Sequence, residues 1–367
     1  MLDLDKVLMT TVRSEASDLI LKVGSPPAIK TVNKVLFLSD EPVGSDELEE
    51  AARTICSPTH WQTYETKGEV DFSFQGCGEL GRFRVNMFRQ SGRIGLVLRQ
   101  IKSVIPGFEE LALPERQFLH LSSLDRGLVL VTGQTGSGKS TSLAAMLDHI
   151  IQSRNEHIIT LEDPIEYLFE DNLSIVNQRE VGSDTMTFAT GLKACMREAP
   201  DVIMVGEIRD AATMEAAISA AETGHLVLST LHTVNAVQTI ERIFTFFPPH
   251  QHERVRMQMA TVLAGVASQR LLPSLKTQGM VPAVEFLMAT PRIRELLGAG
   301  DTLALEKALI DGESYYGTQT FNLSLKELVE SETVSLEDAL RASDNPDDLK
   351  LALRGIQTGS STVSLRC

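Results

Sequence analysis

The sequence predicts an α/β protein, in which a small α+β domain precedes a larger domain built on a mostly parallel sheet with helices on its faces. The chain has 367 residues, which is long for one hydrophobic core and favours two domains. Its first part shows the period-two alternation of a hairpin, whereas the later part alternates short apolar runs with helical patterns. With 43% hydrophobic and 23% charged residues, the composition is typical of a globular protein.

The N-terminal domain is predicted over residues 1–102 and begins with a helix, because apolar residues recur at helical spacing between Leu4 and Val12. The segment 17–23 predicts a strand, which a Gly-Ser-Pro-Pro turn closes. A further strand is predicted over 95–101. The sequence therefore indicates a small module of mixed helices and strands.

A hairpin in this domain is indicated by apolar residues that alternate with polar ones over 70–74 and again over 83–87, on either side of a glycine-containing turn. Arg82 and Arg84 then share one face of the second strand, because side chains two residues apart point to the same side. Such a face is either an ordinary solvated surface or one that contacts an anion. The residues alone favour the solvated surface.

Prolines and glycines over 103–122 indicate a linker, and 123–290 is predicted as the core of the larger domain. A helical, acidic region is expected over 291–354, with a clear helix at 335–342, before a frayed tail over 355–367. The apolar runs that predict the core strands lie at 127–132, 157–161, 202–205 and 226–229.

Charge and cysteine content exclude several classes of function. The chain carries 49 acidic and 34 basic side chains, and its net charge of −15 argues against a nucleic-acid partner, because such binding depends on Lys and Arg neutralising phosphates. An acidic N-terminus and the lack of an apolar stretch of ~20 residues predict a cytoplasmic protein with no direct membrane insertion.

The four cysteines form no C-x-x-C pair, so the sequence suggests neither a zinc site nor a disulfide framework. The residues expected to be buried or free thiols are Cys56, Cys77, Cys195 and Cys367.

A phosphate-binding loop is the most specific motif of the sequence. Residues 133–140 read G-Q-T-G-S-G-K-S, which fits the pattern G-x-x-x-x-G-K-S/T between an apolar strand and a helix with an apolar stripe. The N–H groups at the start of that helix would point at phosphate oxygens. Lys139 is expected to bridge the β- and γ-phosphates and the Ser140 hydroxyl to bind Mg²⁺. The predicted nucleotide-binding residues are Gly133, Gln134, Thr135, Gly136, Ser137, Gly138, Lys139, Ser140 and Thr141.

Two acidic residues at strand ends predict hydrolysis as well as binding. Glu162 ends the second core strand just before Pro164, and a carboxylate at the carboxyl end of a parallel strand can orient or deprotonate the attacking water. Glu207 follows the third core strand after a glycine and resembles a Walker B acid, which holds Mg²⁺ directly or through water. Each acid alone could be a solvated carboxylate. The pair beside an intact phosphate loop favours catalysis.

A histidine follows the fourth core strand. Asp210 is predicted to cap a helix that runs to Ala220. His225 then leads into the fourth core strand, which ends at 230–233. His232 at that end would contact the phosphate, sense it, or have a purely structural role, and the residues leave this open.

Taken together, these segments resemble the secretion ATPase superfamily, and within it the PilT/PilU-like retraction ATPases of type IV pili. The resemblance covers nearly the whole chain. Its motifs are the Walker A segment 133–140, the Asp box 159–167, the Walker B segment 205–209 and the His box from 221 to 233. Further matching stretches are 17–19, 81–86 and 178–182.

The resemblance implies a RecA-like P-loop ATPase core with an N-terminal PAS-like domain, assembled as a homohexamer with Mg²⁺ and ATP between subunits. It also implies a cytoplasmic position at the inner membrane, on the platform protein of the pilus machine. By the same resemblance, Glu162 is the catalytic base, Glu207 serves the magnesium ion, and His225 and His232 read the nucleotide.

Arginines of the N-terminal domain complete the site that the resemblance implies. Arg82 and Arg99 match positions that reach the γ-phosphate across the ring, and Arg84 is a third such residue. An arginine-bearing strand face fits that role.

Departures from the family pattern bear on the subtype. The four-cysteine insert and the longer N-terminal region of assembly ATPases are missing from the sequence, which favours retraction over extension. The segment 291–297 resembles the A-I-R-x-L-I-R-E motif of PilT proteins, but Arg292 replaces the alanine and the second acidic arm is missing. The stretches that resemble PilU more than PilT are 197–201, 246–248 and 345–350.

We therefore expect a PilU-like or accessory retraction motor, which would work beside a paralogous retraction ATPase. Three alternatives remain at this point. They are a nucleotide-gated ring with little turnover that docks on a partner ATPase, a pilus or type II secretion assembly ATPase, and a RecA-like motor acting on nucleic acid.

Overall fold

The structure is a computed structural model that describes residues 2–14, 16–31, 34–101, 104–277, 279–312 and 317–356. Two compact units make up the chain. The first contains Met1–Val104 and Asp163–Phe169, and the second contains Ile105–Glu162 and Glu170–Cys367. Most of the predicted tail, including Cys367, lies outside the described residues. The predicted domain boundaries stay a prediction.

In its described part, the first unit combines three helices with a six-stranded antiparallel sheet. The helices are α1 (Leu4–Arg13), α2 (Ser45–Ile55) and α3 (Pro58–Lys67). The strands are β1 (Asp18–Lys22), β2 (Ala28–Lys30), β3 (Val35–Phe37), β4 (Glu69–Gln75), β5 (Arg82–Gln90) and β6 (Arg93–Ile101). They lie in the order β3-β2-β1-β6-β5-β4, and β4 and β5 form the predicted hairpin.

Alternation along β5 divides this sheet into a buried and an open face. Phe83, Val85 and Met87 are fully buried in the core of the unit, whereas Arg82 and Arg84 are partly exposed. Because successive side chains of a strand point to opposite faces, the two arginines lie on the side away from that core. The arginine-bearing face predicted from the sequence is therefore present.

The second unit is built on a sheet whose described strands follow the order β13-β12-β7-β11-β10-β8-β9. These strands are β7 (Gly127–Thr132), β8 (His157–Glu162), β9 (Ile175–Glu180), β10 (Val202–Val205), β11 (Leu226–Leu231), β12 (Leu263–Pro273) and β13 (Met280–Met288). All neighbours are parallel except the pair β12 and β13. The predicted mostly parallel sheet is thus confirmed.

Helices connect and cover these strands. They are α4 (Glu115–Ser122), α5 (Lys139–Ser153), α6 (Phe188–Cys195), α7 (Ala211–Glu222), α8 (Ala236–Thr245), α9 (His252–Val262), α10 (Pro291–Ala299), α11 (Thr302–Asp311), α12 (Phe321–Glu330), α13 (Leu336–Ala342) and α14 (Pro346–Leu353). Helix α4 lies in the segment predicted as a linker and buries Phe118 and Leu121 in the second unit. None of the helices in the described part of the chain is long and apolar enough to cross a membrane.

The strand order determines which strand ends lie beside the loop 133–140. Strands β7, β11, β10 and β8 are parallel neighbours in that order, so their carboxyl ends meet at one edge of the sheet. The loop 133–140 follows β7, and the residues after β11, β10 and β8 lie beside it along this edge. Strand β11 separates the loop-bearing strand from the two strands that carry the predicted acids.

Candidate functional site

The loop between β7 and α5 has backbone angles at three positions that favour glycine. Gly133, Gly136 and Gly138 have φ angles of 150°, 79° and 88°, which side-chain-bearing residues rarely adopt. A Cβ atom on Gly133 would also lie 2.3 Å from Ser137 Oγ and 2.5 Å from the carbonyl oxygen of Gln269. The loop can therefore make a tight turn. Helix α5 begins after Gly138 without a side-chain cap, so no capping side chain occupies its first N–H groups, which face the loop.

Lys139 and Ser137 give this loop the donors that a phosphate needs. The buried Lys139 Nζ donates to the carbonyl oxygens of Gly133, at 3.0 Å, and Gln134, at 2.9 Å. Ser137 Oγ is buried and has no hydrogen-bond partner among the described residues. Because buried hydroxyls are normally paired, this orphan donor fits a site that receives an anion. The residues present thus fit a magnesium-bound triphosphate, with Ser140 exposed at the start of α5.

Apolar surface lies next to the loop within the second unit. A cavity of about 490 Å³ is lined by Gly138 and Thr141 on one side and by Leu113, Leu271 and Met280 on the other. A second cavity, of about 500 Å³, borders the loop at Gln134 and Gly136. Volumes of this size suit a nucleoside beside its phosphates.

Glu162 closes β8 as predicted, and it is held from two strands. The residue as a whole is only 6% exposed. Thr160 Oγ1 donates to Glu162 Oε1 at 2.7 Å, and Gln178 Nε2 on the neighbouring β9 donates to the same oxygen at 3.0 Å. The acid is therefore fixed in orientation at the edge of the sheet where the loop lies.

Glu207 lies just beyond β10 and joins His232 in one cluster. Its Oε1 lies 2.6 Å from Arg209 Nη2, and its Oε2 lies 3.2 Å from His232 Nε2. His232 follows β11, so two adjacent strands bring these side chains together. The structure thus groups the predicted magnesium-serving acid with one of the two predicted histidines.

His225 is not part of this cluster. It precedes β11 rather than following it, and Leu226 is in register with Gly127, the first residue of β7. Its Nδ1 lies 2.9 Å from the carbonyl oxygen of Ala220 at the end of α7. Within one chain, the structure therefore places His225 at the opposite edge of the sheet from the phosphate loop, because the parallel strands begin there. Its role in reading the nucleotide stays a prediction.

The three predicted arginines of the first unit share the open face of its sheet. Arg84 and Arg99 are register partners on β5 and β6, and Arg82 lies two residues before Arg84. Arg99 Nε donates at 2.8 Å to Oδ1 of the buried Asp18. Their role at a nucleotide stays a prediction.

Residues 49–343 match the family model "Type II/IV secretion system protein", a span that includes the phosphate loop and both strand-end acids. The chain belongs to this family. Among curated proteins of Pseudomonas aeruginosa, it is 39% identical to "Type IV pilus ATPase PilU" over 96% of this chain and 92% of the relative. It is 40% identical to "Type IV pilus retractation ATPase PilT" over 95% of this chain and the full length of that relative.

Solved structures agree with this assignment to the secretion family. The structure superposes on "the Pilus Retraction Motor PilT and Bound ADP" with a TM-score of 0.88, at 43% identity over 95% of this chain and 99% of that one. The Legionella pneumophila ATPase DotB gives a TM-score of 0.81 at 27% identity, over 96% of this chain and 95% of that one. The predicted fold class and the predicted resemblance to pilus ATPases are confirmed, and the chain is a P-loop ATPase.

Thr160, Gln178 and Arg209 are residues of this secretion-family site to which sequence reasoning gave no role. Thr160 lies two residues before Glu162 on the same strand, so period-two alternation could have placed both side chains on one face. Gln178 had no such signal, because β9 was not predicted as a strand.

Strand β13 carries a buried acid. Glu285 of β13 accepts a hydrogen bond of 2.7 Å from the N–H of Ala236, at the start of α8. The pKa of Glu285 is raised to about 7, chiefly by burial and to a smaller extent by the nearby Asp344 and Glu306, which outweigh the lowering effects of the Ala236 N–H and Arg270. The carboxyl group therefore titrates near neutral pH.

Replacement of Glu285 by glutamine is expected to stabilise this secretion-family protein selectively at high pH. Between about pH 4.5 and 7 the folded state keeps a proton that the unfolded state has lost, so stability falls as pH rises through this window. Glutamine removes the penalty, which is on the order of 3 kcal/mol when complete. The measurement is chemical denaturation of both proteins at about pH 5 and about pH 8. Glu222→Gln serves as a control at an exposed acid, and an unchanged difference between the two pH values in Glu285→Gln would contradict the assignment.

Proposed function

We propose that the protein is a motor that hydrolyses Mg²⁺-bound ATP to power retraction of a type IV pilus. The observation that carries this proposal is the meeting of the phosphate loop, Glu162 and the Glu207–His232 cluster at one edge of one sheet. Relatives named as type IV pilus ATPases, aligned over nearly the whole chain, support the pilus as the object of the work.

In the proposed mechanism, the loop N–H groups, the Lys139 ammonium and the Ser137 hydroxyl bind the phosphates and hold them in place. Glu162 orients the attacking water and accepts its proton, since it is a fixed carboxylate at the carboxyl end of a strand. Mg²⁺, held by Ser140 and Glu207 when bound, supplies charge neutralisation for the phosphates. His232 contacts Glu207, and through this contact it would read the nucleotide.

The active assembly is proposed to be a homohexamer with a nucleotide between neighbouring subunits. Arginines from the open face of the first unit would then act on the nucleotide of the next subunit, with Arg82 and Arg99 as the first choices and Arg84 as the third. The ring is proposed to work in the cytoplasm, docked at the inner membrane on the platform protein of the pilus machine.

The PilU-like accessory subtype is proposed on short stretches alone, since identities of 39% to PilU and 40% to PilT do not separate the two. In that subtype a paralogous retraction ATPase would share the work. A ring that binds ATP with little turnover is the alternative. A steady-state ATPase assay on the pure protein separates a motor from such a ring.

Deletion of the gene tests the cellular function. Loss of a retraction motor is expected to leave cells piliated or hyperpiliated but unable to retract, because assembly continues without disassembly. Pilus counts by electron microscopy and twitching zones measure both properties. Complementation with the native gene should restore retraction, whereas Lys139→Ala should not. Bald cells would instead indicate an assembly ATPase.

A further inference from the structure

Strand β9 contains residues 178–180 of the stretch 178–182, which the proposed mechanism does not use. It is the edge strand of the sheet and pairs in parallel with β8. Thr160 is in register with Gln178, and Glu162 with Glu180. Because register partners and residues two apart lie on the same face, Thr160, Gln178 and Glu162 form one polar group on that face.

Two donors converge on a single oxygen in this group. The Thr160 hydroxyl and the Gln178 amide both donate to Glu162 Oε1, at 2.7 and 3.0 Å. Thr160 is fully buried and Glu162 almost so. Hydrogen bonds to a carboxylate are short and strong in such surroundings. The terminal torsion of a glutamate is broad on its own, so these donors determine which way the carboxylate plane faces.

We propose that Thr160 and Gln178 are positioning residues that fix the carboxylate of Glu162 for its work on the attacking water, an inference that rests on the proposed role of Glu162 as the base. Thr160 holds the carboxylate from its own strand, and Gln178 holds it from the neighbouring strand. The two contacts together set both its rotation and its sideways position. Neither side chain touches the nucleotide in this scheme.

Variants that keep shape but remove a donor test this role in the full-length protein. Gln178→Met and Thr160→Val are each expected to lower kcat by about 10- to 100-fold, because misplacement of a catalytic group by about 1 Å has an effect of that size. The KM for ATP and the affinity for ADP should stay near their native values. Thr160→Ser keeps the hydroxyl and should restore most of kcat. Asn177→Met removes an amide from the other face of β9, where Asn177 contacts His157, and should leave kcat unchanged.

The same substitutions in a Glu162→Gln background separate positioning from a structural role. If Gln178 acts through Glu162, Gln178→Met should have no further effect on the residual kcat of Glu162→Gln. An equal loss in both backgrounds, a weakened affinity for ADP that accounts for the loss, or a native kcat in Gln178→Met would overturn the proposal. Should Thr160→Val fail to fold, Gln178→Met decides, since Gln178 is only partly buried. Native turnover by Glu162→Gln alone would instead refute the proposed base, and with it the proposed function.

Discussion

Replacement of Lys139 by alanine is expected to lower ATP turnover by at least ~10³-fold while the fold stays intact. The ammonium group lies within the phosphate loop, against the carbonyl oxygens of Gly133 and Gln134, where it would meet the charge that develops on the phosphates. The backbone should tolerate the change, because Lys139 is the first residue of α5 and alanine favours helix. Phosphate release measures turnover, and circular dichroism with a thermal melt checks the fold.

Glu162→Gln is the matched variant for this experiment. It is also expected to lose turnover by orders of magnitude. It keeps the loop and should still bind ADP, since Glu162 is proposed to act on the water rather than on the phosphates. A near-native rate in Lys139→Ala would contradict the assignment of the loop, and loss of nucleotide affinity in Glu162→Gln would contradict the division of roles.

Replacement of Arg82 by alanine is expected to reduce turnover by roughly 10³- to 10⁵-fold, which is the effect of removing an arginine finger from other P-loop enzymes. Arg82 lies on the open face of the first unit, partly exposed, so its loss should leave the buried core of that unit unchanged. Arg84→Ala and Arg99→Ala, from the same face, form the comparison series. Steady-state ATPase rates and melting temperatures give both readouts.

Mixed rings test whether such an arginine acts on a neighbouring subunit. An Arg82→Ala subunit has an intact phosphate loop, and a Lys139→Ala subunit has intact arginines. A ring that contains both is therefore expected to form some complete sites and to recover part of the activity that each variant lacks alone. If mixed rings are demonstrated and no activity returns, the proposed arrangement between subunits is wrong.

The central strands of the second unit could be predicted because each is an apolar run that ends at a distinctive residue. The runs before Gly133, Glu162 and Glu207 are buried on both faces, and the burial of parallel strands produces this pattern. The loop itself is specified by glycines whose backbone angles other residues rarely adopt. Local sequence was therefore sufficient to place the phosphate loop after β7 and the two acids at the carboxyl ends of β8 and β10.

Features that depend on the edge of the sheet could not be read from local sequence. Strand β9 has the sequence I-V-N-Q-R-E, whose polar residues resemble a loop, and only its pairing with β8 makes it a strand and brings Gln178 to Glu162. By contrast, His225 was correctly predicted to lead into β11, and its role in reading the nucleotide stays a prediction.

The place of β11 between β7 and β10 has an electrostatic consequence. Neighbouring strands are about 4.8 Å apart, so the backbones that carry Glu207 and Glu162 stand about 10 and 14 Å across the sheet from the strand that bears the loop. The side chains narrow these distances, but a wider separation still weakens the repulsion, since two like charges at an effective dielectric constant of about 20 repel by about 4 kcal/mol at 4 Å and by only about 1–2 kcal/mol at 10–14 Å. The order of the strands thus limits the repulsion between these two acids and a polyanionic ligand bound at the loop.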